Sequence, residues 1–191
     1  MATTRENKTI SQFKSQLIGG GARPNLFEVE LTTLPAGIAW PADNFRYMCK
    51  AAQLPESTIA NIDIPFRGRI FKVAGDRTIA PWSITVINDE DFRIRKAMEE
   101  WVDLIAKLEN NLGATDPSAY MVNAKVFQLG RGSTLSSKNN AGDRNAVLRE
   151  YEFIDIFPTS VSSIDLSYDS SDTIEEFTVD FAVQSFAFVD A

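Results

Sequence analysis

The chain has 191 residues, room for one domain or one domain with an extended appendage. Its 44% hydrophobic and 24% charged shares are ordinary for a soluble globular protein and disfavour disorder or low complexity. With no histidine and one cysteine, Cys49, it lacks the groups for Ser-His-Asp or Cys-His catalysis, histidine metal sites, zinc knuckles or an intrachain disulfide, and a net charge of −7 sets it against nucleic acid phosphates.

Residues 1–22 are polar, with Arg5, Glu6, Lys8 and Lys14, a scatter of apolar positions at Ile10, Phe13, Leu17 and Ile18, and a closing Gly19-Gly20-Gly21. The segment reads as an arm holding at most a short helix. It lacks the apolar block of a signal peptide, and nowhere do about 18 apolar residues run together as a membrane span requires. From Asn25 the period becomes two, with Phe27, Val29 and Leu31 against Glu28, Glu30 and Thr32, as in a half-buried strand.

A loop is expected over Pro35–Asp43, then a second strand over Phe45–Ala52 with Phe45, Tyr47, Cys49 and Ala51 on one face. Apolar runs at Ile59–Phe66 and Ile70–Val73, pinched at Arg67-Gly68-Arg69, predict a hairpin or a long extended loop, and Pro65 places it at an edge. Trp82–Asn88 is a short β-branched strand. The strong helix signal follows, with Asn88-Asp89-Glu90-Asp91 as a cap and Ile94, Ala97, Met98, Trp101, Leu104, Ile105 and Leu108 as its stripe.

Strands resume over Ala119–Leu129. Gly130–Arg144 is rich in Gly, Ser and Asn without periodicity and reads as a flexible loop. Val147–Phe157 is apolar on both faces, marking a strand covered on two sides; Val161–Tyr168 is a further strand, and Ile174–Val189 sets Phe177, Val179, Phe181 and Val183 against Glu176, Thr178, Asp180 and Gln184. The fold class is mainly β (α+β), a β-sandwich or barrel with one flanking helix. Residues 23–191 form one domain behind the 1–22 arm.

Chemistry is sparse. Asp89, Glu90 and Asp91 diverge as consecutive side chains and suit helix capping better than a metal or an acid-base pair. Asp169-Ser170-Ser171-Asp172 lacks the glycine and distal glutamate of a calcium loop. Arg67-Gly68-Arg69 and Gly130-Arg131-Gly132 do not join a strand to a helix as phosphate loops do. Cys49 has no neighbouring base, and Lys138 among the serines of residues 133–145 sits on a loop rather than a rigid frame. No catalytic, cofactor or metal residue is expected, and the chain is not read as an enzyme.

Three ordered sets of strings carry a family resemblance. Ala22-Arg23-Pro24-Asn25-Leu26-Phe27-Glu28-Val29 is the first. Val73-Ala74-Gly75-Asp76-Arg77-Thr78 with Trp82 and Thr85-Val86-Ile87-Asn88-Asp89-Glu90 is the second. The third is Phe157-Pro158-Thr159-Ser160-Val161, Ile164-Asp165-Leu166, Asp169-Ser170 and the alternation from Ile174 to Phe181. Spanning most of residues 22–184, they resemble the tail tube protein of contractile-tailed bacteriophages. Pro35–Asn44, Gly130–Arg144 and the arm look longer than that family's pattern.

The resemblance implies six copies to a ring and stacked rings whose inner sheets join into one barrel, through which genomic DNA passes without specific binding. It implies as partners a tail sheath, a baseplate or tube initiator, and a tape measure protein in the lumen. The place is the virion tail, assembled in the host cytoplasm.

Glu28, Glu30, Glu176 and Asp180, on the non-core side of their strands, are candidates for the lumen face; the alternative is ordinary solvent. Phe66, Arg67, Arg69 and Phe71 in the Asn61–Gly75 hairpin, with the arm, are candidates for ring stacking; the alternative is that the two phenylalanines lie in the subunit core. Arg95, Glu99 and Asp103 on the outer helix face are candidates to meet the sheath. Alternative functions are a tube initiator, the inner tube of a secretion or toxin-delivery machine, and, more distantly, a monomeric β-barrel ligand-binding module.

Overall fold

The computed structural model describes residues 9–17, 21–31, 33–110, 112–130 and 147–189. Its frame is an antiparallel six-stranded sheet of β1 (Phe27–Glu30), β2 (Cys49–Ala52), β5 (Trp82–Ile87), β6 (Val122–Leu129), β7 (Val147–Val161) and β8 (Glu176–Val189), in the order β1-β6-β7-β8-β5-β2. The sheet curls until its edge strands β1 and β2 touch, nearly closing a barrel. A separate two-stranded sheet, β3 (Ser57–Phe66) with β4 (Arg69–Ile79), is inserted between β2 and β5.

Strict alternation makes the core. In β5, Trp82, Ile84 and Val86 are buried while their neighbours are half-exposed, and Phe177, Val179 and Phe181 of β8 repeat the pattern directly beside them. Helix α3 (Arg93–Ile105) adds Ile94, Ala97, Met98 and Trp101, whose i, i+3, i+4, i+7 spacing puts them on one face. The Trp101 ring lies 5.8 Å from Phe181, and its Nε1 donates to the Tyr120 carbonyl at 2.7 Å, so this large side chain is buried with its polar atom satisfied. Among the described residues no buried side-chain polar atom lacks a partner.

Strand β7 breaks the alternation for a backbone reason. Asp155 adopts φ +54°, in the left-handed region, and its N–H bonds the Asn123 side chain at 3.1 Å. The twist there lets Phe153 and Ile156, three residues apart, both be buried, and α3 packs on the same strand. The two-sided cover expected of Val147–Phe157 is thus replaced by a twist: both buried residues join one core, and Leu148 is 40% exposed.

Several elements differ from expectation. Residues 42–48 are helix α2 (Ala42–Met48), not strand: Phe45 and Cys49, both buried, are spaced i, i+4, and Tyr47, expected in the core, is 84% exposed. Only Cys49–Ala52 is strand. Helix α3 starts later than the acidic cluster, with Phe92 (φ +53°) at its N-cap and no side-chain cap; Asp89 instead accepts from Asn44, and Asp91 pairs with Arg93. The helix stops at Ile105, leaving Leu108 93% exposed. β7 continues to Val161, and 162–175 contains no strand, because its Ser and Asp residues favour turns. In the arm, α1 (Ile10–Gln16) opens with a capping box in which Thr9 and Gln12 bond each other's backbone. The expected 130–144 loop lies outside the described residues after Gly130.

Candidate assembly surfaces

The β3–β4 hairpin turns at Arg67 (φ +46°) and Gly68 (φ +79°), two consecutive left-handed residues, which matches the twist of the strands they join. Paired residues share a side of the ladder: Ile62 faces Val73, Ile64 faces Phe71, and Phe66 faces Arg69. One side therefore carries Ile62, Ile64, Phe66, Phe71 and Val73 with Arg69 at the tip. The other carries Asn61, Asp63 and Lys72, the last two joined by a 3.0 Å ion pair, with Pro65 and the exposed Ile70 nearer the tip. Among the described residues nothing covers the apolar side: Phe66 is 66% exposed and Phe71 65%. The two phenylalanines thus lie outside the subunit core. Arg67 stacks on Phe66 at 5.4 Å.

Glu28, Glu30, Glu176 and Asp180 do point away from the core, but not as one set. Glu28 and Glu30 stand on β1, where Arg46 of α2 pairs with both, at 3.6 Å to Glu28. The hydrogen bond that Arg46 donates to Glu30, then the Glu30 charge, raises the Arg46 pKa. Next to them on β6 and β7, Lys125 pairs with Glu150 at 2.7 Å beside Glu152, and the Glu150 hydrogen bond raises the Lys125 pKa. On β8, three strands from β1 in the sheet order, Glu176 pairs with Lys50 at 2.5 Å, and Asp180 accepts from Ser83 and Ser160. Sequence reading missed Arg46 by assigning its segment to a strand. Lys125, Glu150 and Glu152 were legible as outward polar positions of their strands.

On α3, Arg95 is tied inward. It pairs with Glu99 at 2.8 Å, donates to the Ser162 carbonyl at 3.2 Å and lies 5.4 Å over Phe177. Glu99 and Asp103 are exposed and remain open to a partner.

The pattern of the phage tail tube protein family matches residues 22–189, which takes in the whole barrel and the hairpin and leaves out α1. The chain belongs to that family. The tail tube protein gp19 of Enterobacteria phage T4 is 34% identical over 165 residues, covering 86% of this chain and 90% of the relative. The tail tube protein of Serratia phage KSP90 is 24% identical over 175 residues, 90% of this chain and 92% of the relative. Two solved structures share the fold. One is a chain of the anti-feeding prophage baseplate (TM-score 0.62, 11% identity, 89% and 96% coverage). The other belongs to the sheath-tube complex of the PVC extracellular contractile injection system in its extended state (TM-score 0.53, 12% identity, 97% and 100% coverage). This tail tube protein is accordingly a structural component of a contractile phage tail, and its surfaces are read as assembly surfaces.

Proposed function

We propose that six copies form a ring, that rings stack into a hollow tube through the β3–β4 hairpin, and that genomic DNA is delivered through the lumen. The observation that carries this is the hairpin's apolar side, Ile62, Ile64, Phe66, Phe71 and Val73, which the described residues leave exposed. A monomer with such a ribbon would aggregate unless a second copy covered it. Residues 23–191 are the tube-forming unit in this reading, and the 1–22 arm adds to the stacking contact. Assembly takes place in the host cytoplasm.

The acidic net charge suits a conduit for DNA, because like charges repel phosphates within a Debye length of about 8 to 10 Å. Glu28 and Glu30, extended by Glu150 and Glu152, and Glu176 with Asp180 line the lumen in this reading. Their cationic partners, Arg46, Lys125 and Lys50, fix the carboxylates in place while leaving the β1-β6-β7 set with more acid than base. Glu99 and Asp103 face the sheath, a tape measure protein occupies the lumen before ejection, and a baseplate initiator starts the tube. The role requires no catalysis, cofactor or metal.

Negative-stain microscopy with sedimentation velocity tests the reading. Wild type is expected to give rings or hollow tubes, and Phe66→Ser with Phe71→Ser shorter stacks or free rings. A strict monomer at high concentration, even with sheath and baseplate proteins supplied, would put the ligand-binding module first.

A further inference from the structure

Strand direction gives the subunit two unlike ends. At one end β8 finishes at Val189, β7 begins at Val147 and β1 begins at Phe27; the hairpin also leaves the body on this side, since Arg77 of β4 lies 5.2 Å over Phe186 of β8. At the other end, the segment 162–175 links the finish of β7 to the start of β8.

The first end carries an arginine-aromatic platform that neither the sequence reading nor the hairpin accounts for. Arg149 lies 5.3 Å over Tyr151 and 5.1 Å over Phe188, Tyr151 meets Phe188 edge-on at 6.2 Å, and Phe186 lies 5.8 Å from Phe188. Arg77 flanks the cluster on the other side. Phe188 is 55% exposed. A guanidinium held over a ring keeps its N–H groups for an acceptor; among the described residues Arg149 donates no side-chain hydrogen bond, while Arg77 gives one N–H to Ser57 Oγ at 2.9 Å. Among the described residues neither Arg77 nor Arg149 forms an ion pair.

The opposite end has the complementary chemistry. Segment 162–175 contains Asp165, Asp169, Asp172 and Glu175 and no basic residue, and among them Leu166, Tyr168 and Ile174 are exposed, Tyr168 fully. Glu175 is engaged by Asn88 at 2.9 Å, but the three aspartates are exposed. One end thus offers carboxylates with apolar side chains between them, and the other offers arginines set on aromatic rings.

We infer that the 162–175 segment of one copy docks on the Arg77, Arg149, Tyr151 and Phe188 platform of a second copy. This is a head-to-tail contact of unlike surfaces, which propagates rather than closing on itself as a pair. It rests on the proposed ring stacking and names a second contact for it, separate from the hairpin's apolar face and sensitive to salt because both sides are exposed charges.

Charge reversal tests it in the full chain. Arg149→Glu, alone or with Arg77→Glu, and separately Asp169→Lys with Asp172→Lys, are each expected to raise the concentration needed for tubes at least about tenfold at low salt, since opposed like charges are costly. Folding is checked by the melting temperature, and Arg149→Glu alone avoids disturbing the hydrogen bond from Arg77 to Ser57 at the hairpin base. Combining both reversals in one chain is expected to restore assembly. If each reversal blocks tubes and the combination does not rescue them, the two surfaces do not meet and the inference falls. It also falls if the reversals leave assembly unchanged while Phe66→Ser with Phe71→Ser blocks it, and then hairpin stacking stands. If none of the three variants affects tube formation, the stacking reading falls with it.

Discussion

The barrel body and the β3–β4 hairpin use the same residue types to opposite ends. In β5 and β8 the aromatic and branched residues are buried against α3, with Trp82 stacked on Phe153 of β7 at 4.4 Å and 5.4 Å from Phe181. In the hairpin, Ile62, Ile64, Phe66 and Phe71 are strung along one side of a ribbon and are exposed among the described residues. The body's apolar surface is spent on folding one copy. Under the proposed stacking, the hairpin's apolar surface is instead available to a second copy. Stability and assembly should therefore separate by region.

The largest expected effect is in the body. Trp101→Ala removes a fully buried ring and leaves the Tyr120 carbonyl without its donor, and should cost about 3 to 5 kcal/mol. For a chain of this size that lowers the melting temperature by roughly 10 °C, read by calorimetry. The mirror experiment is Phe71→Ser. At 65% exposure it should leave monomer stability within about 0.5 kcal/mol of wild type while tube formation fails. A large loss of monomer stability from Phe71→Ser would mean that the hairpin folds onto its own body in solution.

Cys49 gives a smaller probe of body integrity. Burial pushes its thiol up from 9.0 to about 12, so the folded protein holds the proton where the unfolded chain releases it. Stability from this group is therefore complete below about pH 9 and is lost as pH rises toward 12. Aromatic disulfide reagents at pH 8 should label Cys49 only on the timescale of opening, and at the ordinary thiol rate in denaturant. Immediate labelling of the native protein would show that the β2 edge of the barrel is open.

Much of this division was legible in the sequence, and the failures have physical causes. Alternation in β1 and β8 named core residues because one face of each strand is buried, while β5 was legible only as a short β-branched strand. It misled at Phe45–Met48, where alternating apolar residues sit on a helix that needs only Phe45 and Cys49 inward. Asp89, Glu90 and Asp91 had the composition of a cap, yet the distant Asn44 claimed Asp89 and the nearby Arg93 claimed Asp91. The hairpin turn was readable at Arg67-Gly68. Its reach to Ser57 and Ile79 was not, because Gly75 and Asp76 look like a turn. In the ladder Gly75 instead permits close approach: a Cβ there would stand 3.0 Å from the Ala60 carbonyl oxygen. The lumen candidates were found as outward residues, but their pairing with Arg46 and Lys50 depends on where α2 and β2 fall in space. No single-strand pattern encodes that.

The smallest effect tests whether the two regions are independent at all. Gly68 has φ +79° with nothing within 4 Å of where a Cβ would stand, so Gly68→Ala introduces backbone strain without a clash. The cost should be about 1 kcal/mol, confined to the hairpin. Amide exchange in a non-assembling background reads this directly. Protection of β3 and β4 amides should fall about fivefold, while β5 and β8 amides keep their rates, because local opening of the ribbon does not require the barrel to open. Arg77 over Phe186 is the contact that could defeat this expectation. If the β8 amides near Phe186 lose protection along with the hairpin, that stacked pair couples the two sheets into one cooperative unit. Docking of a second copy on the platform would then stiffen the hairpin as well.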